Sequence, residues 1–168
     1  MTIKRDIYPL LSAELNSREI SILLGARQVG KTFLLRQLYK KAVDSGLKAV
    51  YYNLELPADL RLFNRADSEM YGFLASAGEV IFIDEFHYMK NASKIFKMLF
   101  DGGRKIKIYA SGSSSLEIHR HLKESLAGRR LVSKLLPLSY NEFLQKYKAG
   151  GAGAAFGEYA LYGGLPGM

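Results

Sequence analysis

The chain has 168 residues, 24 Lys and Arg against 16 Asp and Glu for a formal net charge of +8, and neither Cys nor Trp. Its length suits one domain with a core that buries roughly 70% of the unfolded surface, and a composition 48% hydrophobic and 24% charged excludes wholesale disorder. The lack of Cys excludes a disulfide framework and thiolate metal sites and fits a reducing, cytoplasmic setting; the opening MTIKRDIYPL has no signal-peptide core, and no run of ~18 apolar residues predicts a membrane span.

Short apolar runs alternate with helical stretches. Residues 20–24 (ISILL) read as a strand, and from Lys31 to about Val43 the residues Leu34, Leu35, Leu38 and Ala42 share one helix face until Ser45-Gly46 breaks it. Residues 49–54 form the next strand, stopped by Pro57, and residues 58–76 have a helical pattern closed by Ala77-Gly78. The continuous apolar run Val80-Ile81-Phe82-Ile83 is of the kind buried on both faces of a parallel sheet. A helix follows over about 92–100, then a strand over 106–110, a helix over 114–126, a strand over 131–136 stopped by Pro137, and a short helix over 140–146. Residues 149–157 are almost pure Gly and Ala and read as a hinge, dividing a core of 1–148 from a short tail of 149–168. Such alternation predicts an α/β fold on a parallel sheet with right-handed crossovers.

Gly25-Ala26-Arg27-Gln28-Val29-Gly30-Lys31-Thr32 fits the phosphate-loop pattern G-x-x-x-x-G-K-[ST] between a strand and a helix. Its glycines let the backbone N–H groups wrap inward around phosphate oxygens, and the following helix, which Phe33 continues, adds its positive dipole end. Lys31 is placed to reach the β- and γ-phosphates of ATP, and the Thr32 hydroxyl to bind Mg²⁺. Asp84-Glu85 follows the apolar run, at the carboxyl end of its strand, where ligands of an open parallel sheet sit. Asp84 suits the Mg²⁺ shell, and Glu85 suits activation of a water that attacks the γ-phosphate. A hydrolase needs that second carboxylate, whereas a small-molecule kinase activates its substrate's own hydroxyl.

The strand over 106–110 runs into Ser111-Gly112-Ser113-Ser114-Ser115. Ser111 or Ser113 is placed to sense the γ-phosphate, and Ser114 or Ser115 to cap the next helix. Gly128-Arg129-Arg130 offers a guanidinium that could act as an arginine finger, in this subunit or toward a neighbour, or could simply be a solvated basic turn. The charge is also lopsided: residues 1–84 carry 11 basic and 10 acidic side chains, residues 85–168 carry 13 and 6. Arg104, Lys105, Lys107, Arg120, Lys123 and Lys134 join the two arginines in one stretch, which reads either as a phosphate-backbone surface for DNA or RNA or as a solvated face. His87, His119 and His121 have no metal-ligand spacing, and His87 suits a supporting or surface position near Glu85.

In order, GARQVGKT, VIFIDE, YASGSS, LAGRR, LPLSYNEF and YGGLP resemble the ATPase domain of a prokaryotic AAA-type family of ATP-binding proteins related to archaeal ATPases and to the STAND signalling ATPases. The resemblance covers essentially the whole chain. It implies a P-loop NTPase fold with a five-stranded parallel sheet ordered 5-1-4-3-2. It also implies Lys31 and Thr32 as the phosphate and Mg²⁺ pair, Asp84 and Glu85 as the metal and water pair, Ser111 or Ser113 as sensor, Arg129 as finger, and Pro166 of Gly164-Leu165-Pro166 against the adenine. Members of the family usually continue into a lid and a C-terminal domain, so the chain is expected to be the nucleotide-binding portion of something larger. ATP and ADP are the implied ligands, and self-association into a homo-oligomer is a known habit of AAA-type cores. The function expected is Mg²⁺-dependent ATP hydrolysis. The alternative is an ATP-loaded switch or nucleic-acid-binding module with little turnover.

Overall fold

The computed structural model describes residues 3–113, 125–147 and 152–166. Each strand-like run becomes a strand: β1 (Ile20–Gly25), β2 (Ala49–Asn53), β3 (Val80–Asp84), β4 (Lys107–Gly112) and β5 (Arg130–Leu135). All neighbours pair in parallel, in the order β2-β3-β4-β1-β5. That is the order the family resemblance implies, read from the opposite edge. Among the described residues the helices are α1 (Tyr8–Ala13), α2 (Lys31–Asp44), α3 (Pro57–Leu62), α4 (Asp67–Ala77), α5 (Ala92–Asp101), α6 (Tyr140–Leu144) and α7 (Ala152–Tyr162), and the helix expected over 114–126 falls almost wholly outside them.

The three inner strands β1, β3 and β4 are buried at every position. Helices cover both faces of a parallel sheet, so both sets of alternating side chains must be apolar. Ile20, Ile22, Ile81, Ile83 and Ile108 pack with Met70, Leu74, Ile95, Phe96 and Leu99 from α4 and α5. Leu23, Phe82 and Tyr109 pack on the other face with Leu11 of α1 and Leu34, Leu35, Leu38 and Ala42 of α2. Phe82 joins the strands on this face, its ring stacked on Tyr109 at 5.1 Å and on Tyr51 of β2 at 6.4 Å.

Two stretches differ from the sequence expectation. The helical pattern over 58–76 is split into α3 and α4 because Phe63 leaves the helix (φ −93°, ψ 0°) and is buried between them. Its ring meets Tyr52 at 5.1 Å and Phe73 at 6.0 Å, and the Arg65 Nε donates to the Leu62 carbonyl at 2.7 Å. The Gly/Ala stretch expected to be a hinge is helical from Ala152 onward, as α7. Alanine has the highest helix propensity, and tertiary contacts support the turn that follows. Ala155 is buried with Leu138 and Phe143, and the Tyr159 hydroxyl donates to the Leu138 carbonyl at 2.9 Å.

After α7 the chain returns alongside β5's exit, where the Leu138 N–H donates to the Gly164 carbonyl at 2.6 Å. A Cβ on Gly164 would overlap the Leu138 carbonyl, whereas one on Gly157, within α7, would meet nothing within 4 Å. Two alanine substitutions therefore have opposite signs. Gly164→Ala is expected to cost about 1–3 kcal/mol of stability through overpacking. Gly157→Ala is expected to add roughly 0.5–1 kcal/mol. Chemical denaturation of the two variants checks this, and equal midpoints would contradict the close approach at Gly164.

Candidate functional site

The loop between β1 and α2 is tight for local reasons. A Cβ on Gly25 would stand 2.6 Å from the Leu135 carbonyl oxygen and 3.0 Å from Val29 Cγ2, so only glycine lets β1 leave the sheet here. Gln28 (φ 65°) and Gly30 (φ 96°) are both left-handed, with the fully buried Val29 between them as an anchor. Gly30 is the N-cap of α2 and supplies no side-chain cap, which leaves the first N–H groups of the helix facing the loop. Lys31 is buried, and its ammonium donates to the carbonyls of Gly25 (3.2 Å) and Ala26 (3.1 Å).

The acidic pair is set by three adjacent strand ends. Asp84 closes β3 and is completely buried. The Ser111 hydroxyl of β4 donates to its Oδ1, and the Tyr51 hydroxyl of β2 donates to its Oδ2 at 2.9 Å. Burial, and then the neighbouring Asp84 charge and hydrogen bond, push the Tyr51 phenol well above the usual tyrosine range. Ser111 also accepts from the Glu85 N–H at 3.3 Å. Glu85 has left-handed backbone (φ 55°, ψ 49°), a conformation that costs a non-glycine residue of order 1 kcal/mol. Its side chain meets two bases, with Oε1 3.3 Å from Lys31 Nζ and Oε2 3.2 Å from His87 Nδ1.

Of these side chains, Lys31 and Glu85 open onto a cleft of about 740 Å³. Arg27, Gln28, Gly30, Lys31, Thr32 and Phe33 line one side, Arg36 and Glu55 another, and Glu85 and Leu165 complete it. Phe33 is about half exposed there. Pro166 is close by: a Cβ on Gly30 would lie 3.8 Å from its Cγ.

The structure thus brings together the loop residues, Lys31, Thr32, Phe33, Asp84, Glu85 and the C-terminal Leu165-Pro166. Val29 belongs to the core, and Ala26 contributes its carbonyl to Lys31. Of the two candidate sensors, Ser111 is the one that bridges Asp84 and Glu85; Ser113 lies beyond the end of β4. Arg129 is not brought to the cleft. Its carbonyl accepts from the Ile20 N–H at the start of β1. The loop leaves the far end of β1 five residues on, a separation of about 17 Å at the strand rise. There Arg129 is bound to Asp101, Nε to Oδ1 at 2.9 Å and Nη2 to Oδ2 at 3.2 Å.

Of the basic stretch, Lys107 is buried and donates to Ser17 Oγ and the Glu19 carbonyl, and Arg104 donates to the Ala75 carbonyl. Ser114, Ser115, His119, Arg120, His121 and Lys123 lie outside the described residues. The sequence reading missed Tyr51, Arg36 and Glu55. Arg36 had a signal, standing four residues after Thr32 and so on the same helix face. Tyr51 had none beyond its place on a predicted strand.

A family model described as AAA domain matches residues 17–144. Two proteins of Methanocaldococcus jannaschii are similar in sequence. The uncharacterized protein MJ1544 is 33% identical over 148 residues, 85% of this chain and 31% of that protein. The uncharacterized protein MJ1637 is 30% identical over 155 residues, 84% and 32% of the two chains. The chain therefore spans about a third of the length of these relatives. Among solved structures, AMPPCP-bound DnaA from Aquifex aeolicus superposes with a TM-score of 0.61 over 100% of this chain and 65% of its own, at 13% identity. The replication initiator DnaA bound to AMPPCP and single-stranded DNA gives a TM-score of 0.57 over 96% and 64%, again at 13% identity.

Tyr51→Phe removes one of the two donors to a buried carboxylate and is expected to cost about 1–3 kcal/mol in unfolding free energy. The ionisation behaviour has a definite sign. A folded-state phenol pKa raised above its unfolded value stabilises the fold below pH ~10 and loses that contribution as pH climbs further. Spectroscopic titration of tyrosinate through pH ~10 should therefore give the same amplitude in the native protein and in Tyr51→Phe. A smaller amplitude in the variant would mean that Tyr51 ionises with the exposed tyrosines.

Proposed function

The chain belongs to the AAA domain family, and on that footing we propose that it binds ATP with Mg²⁺ in the cleft at the carboxyl ends of β1 and β3 and hydrolyses it, with Glu85 as general base. The observation that carries the proposal is the meeting of Lys31 and Glu85 across one cleft, beneath a loop whose backbone is shaped to accept phosphate. The N–H groups of the Gly25–Thr32 loop and of the first turn of α2 would surround the β- and γ-phosphates. Lys31 would exchange a carboxylate partner for a phosphate one. That exchange frees Glu85 Oε1 to take a proton from a water in line with the γ-phosphoryl group, while His87 holds Oε2 and so orients the carboxylate.

The donors available for a metal fit Mg²⁺. They are all oxygen, the Thr32 hydroxyl and the Asp84 carboxylate, and among the described residues no cluster of three or more His, Cys, Asp or Glu forms a protein cage. Mg²⁺ keeps several of its waters and takes further oxygens from phosphates, so a sparse protein contribution suits it. Bound there, it would neutralise charge developing on the phosphoryl oxygens. Ser111 keeps Asp84 and the Glu85 backbone in register through its single hydroxyl. Phe33, Leu165 and Pro166 supply apolar surface at the cleft for the nucleoside end of the ligand. Arg129, tied to Asp101 at the other end of the sheet, takes no part in this chemistry within one subunit.

Two substitutions test these roles. Glu85→Gln keeps the size and should keep ATP affinity close to native, while turnover falls by about 10² or more. Hydrolysis at the native rate would sink the assignment of the base. Lys31→Ala should weaken ATP binding by about tenfold or more, the worth of a charge-assisted contact. Calorimetric titration with ATP·Mg²⁺ that gives the same affinity for both proteins would remove the phosphate-loop argument.

A further inference from the structure

We propose that Arg5, 20 residues ahead of the phosphate loop, is a positioning residue that holds the loop in its phosphate-accepting shape. Arg5 is buried, 8% exposed, and its guanidinium uses each of its nitrogens. Nη1 donates to the Val29 carbonyl at 2.7 Å, Nη2 to the Leu136 carbonyl at 2.6 Å and Nε to Glu142 Oε1 at 3.0 Å. Glu142 is itself fixed. Its Oε1 accepts from the Asp6 N–H at 2.7 Å, and its Oε2 accepts from the Ser139 N–H at 2.9 Å in the capping box that starts α6. Burial alone would raise its pKa, but the N–H groups of Asp6 and Ser139, together with Arg5, hold it below the usual glutamate range, so the pair stays charged.

The consequence for the loop follows from peptide geometry. In a trans peptide the C=O and N–H point in opposite directions. Arg5 draws the Val29 carbonyl to the protein side, so the N–H of the same peptide, that of Gly30, is turned away from Arg5. Gly30 lines the cleft and is left-handed (φ 96°), and a Cβ on it would lie 3.5 Å from Arg5 Nη1. The Val29-Gly30 peptide would flip at little steric cost, because glycine takes φ of either sign. Arg5 is the group that makes one orientation preferred. A lysine could not replace it, since one ammonium cannot span two carbonyls and a carboxylate in a planar fork.

This role rests on the ATP reading, and the test separates the two. Native protein, Glu142→Gln, Arg5→Lys and the double variant Arg5→Met/Glu142→Gln are compared by ATP titration and by the backbone amide NMR signals of residues 26–31 without nucleotide. Glu142→Gln keeps the Arg5–Val29 bond and removes the ion pair, so it reports the structural cost alone. The expected result is ATP affinity about tenfold weaker in the double variant than in Glu142→Gln, a Gly30 amide signal split or broadened by exchange between two peptide orientations in the double variant, single sharp signals in β3 and β4, and an intermediate effect for Arg5→Lys. ATP affinities within about threefold of one another, or a single sharp Gly30 signal in all four proteins, would overturn the role of Arg5. If the double variant does not fold, Arg5→Lys against native protein decides by the same two criteria. Native protein that binds no ATP overturns the ATP reading, and the loop amide signals alone then decide the role of Arg5.

Discussion

A buried carboxylate is the constraint from which the carboxyl edge of the sheet is organised. Asp84 has no solvent contact, so its charge must be met by donors within the protein or the fold loses several kcal/mol. Both donors come from neighbouring strands: Tyr51 from β2 on one side, Ser111 from β4 on the other. Satisfying one side chain therefore pins three strand ends at a fixed relative height. The register agrees, with Asn53 opposite Asp84 and Ala110 opposite Ile83. Ser111 then accepts the Glu85 N–H, which accompanies the left-handed turn at Glu85 and faces its carboxylate to Lys31 across the cleft.

The loop opposite is supported from behind in a comparable way. Val29 is anchored in the apolar core through its side chain and in a polar network through its carbonyl, and the two attachments are independent. The polar one joins the segment before α1 to the stretch between the exit of β5 and the start of α6, which lies 131 to 137 residues further along the chain. Lys4 and Gln145 reinforce it with a reciprocal pair, Lys4 N–H to Gln145 Oε1 at 2.7 Å and Gln145 Nε2 to the Lys4 carbonyl at 2.8 Å. A site gripped on both flanks by rigid elements needs little reorganisation when a ligand arrives.

The sheet and the phosphate loop were legible because their signals are local. A strand buried on both faces shows as an unbroken apolar run, and the loop shows as fixed residue types at fixed spacing. What could not be read depends on contacts distant in sequence. Arg5 and Glu142 are 137 residues apart, and nothing near Arg5 marks it as different from Lys4 beside it. Tyr51 looks like any strand tyrosine until β3 is laid beside it. Ser111 and Ser113 share strand parity and differ only in that the ladder ends between them, at Gly112. The break at Phe63 and the helix over Ala152–Tyr162 were misjudged for the same reason: in each, an aromatic or alanine side chain finds its pocket in another part of the chain.

The placement of charge sharpens the contrast between the two ends of the sheet. At the amino end, basic groups serve the fold. Lys107 lies over the Tyr109 ring at 4.9 Å, and burial, opposed by the charges of Glu14 and Glu19, lowers its pKa to about 8. Glu14, buried nearby, accepts from the Ser21 hydroxyl, and Arg129 closes on Asp101. Lys107, bonded to Ser17 and the Glu19 carbonyl, and Arg129, paired with Asp101, are held within the fold, so these two are poorly suited to release counterions from a polyanion. At the carboxyl end, Arg27 and Arg36 line an open cleft beside Lys31, and the acids facing them, Glu55 and Glu85, are separate side chains on separate loops. Lys31 also stands at the start of α2, whose amino end adds its own positive potential. The cations that converge on one cleft come from the nearly neutral first half, and it is convergence in space that makes a phosphate site.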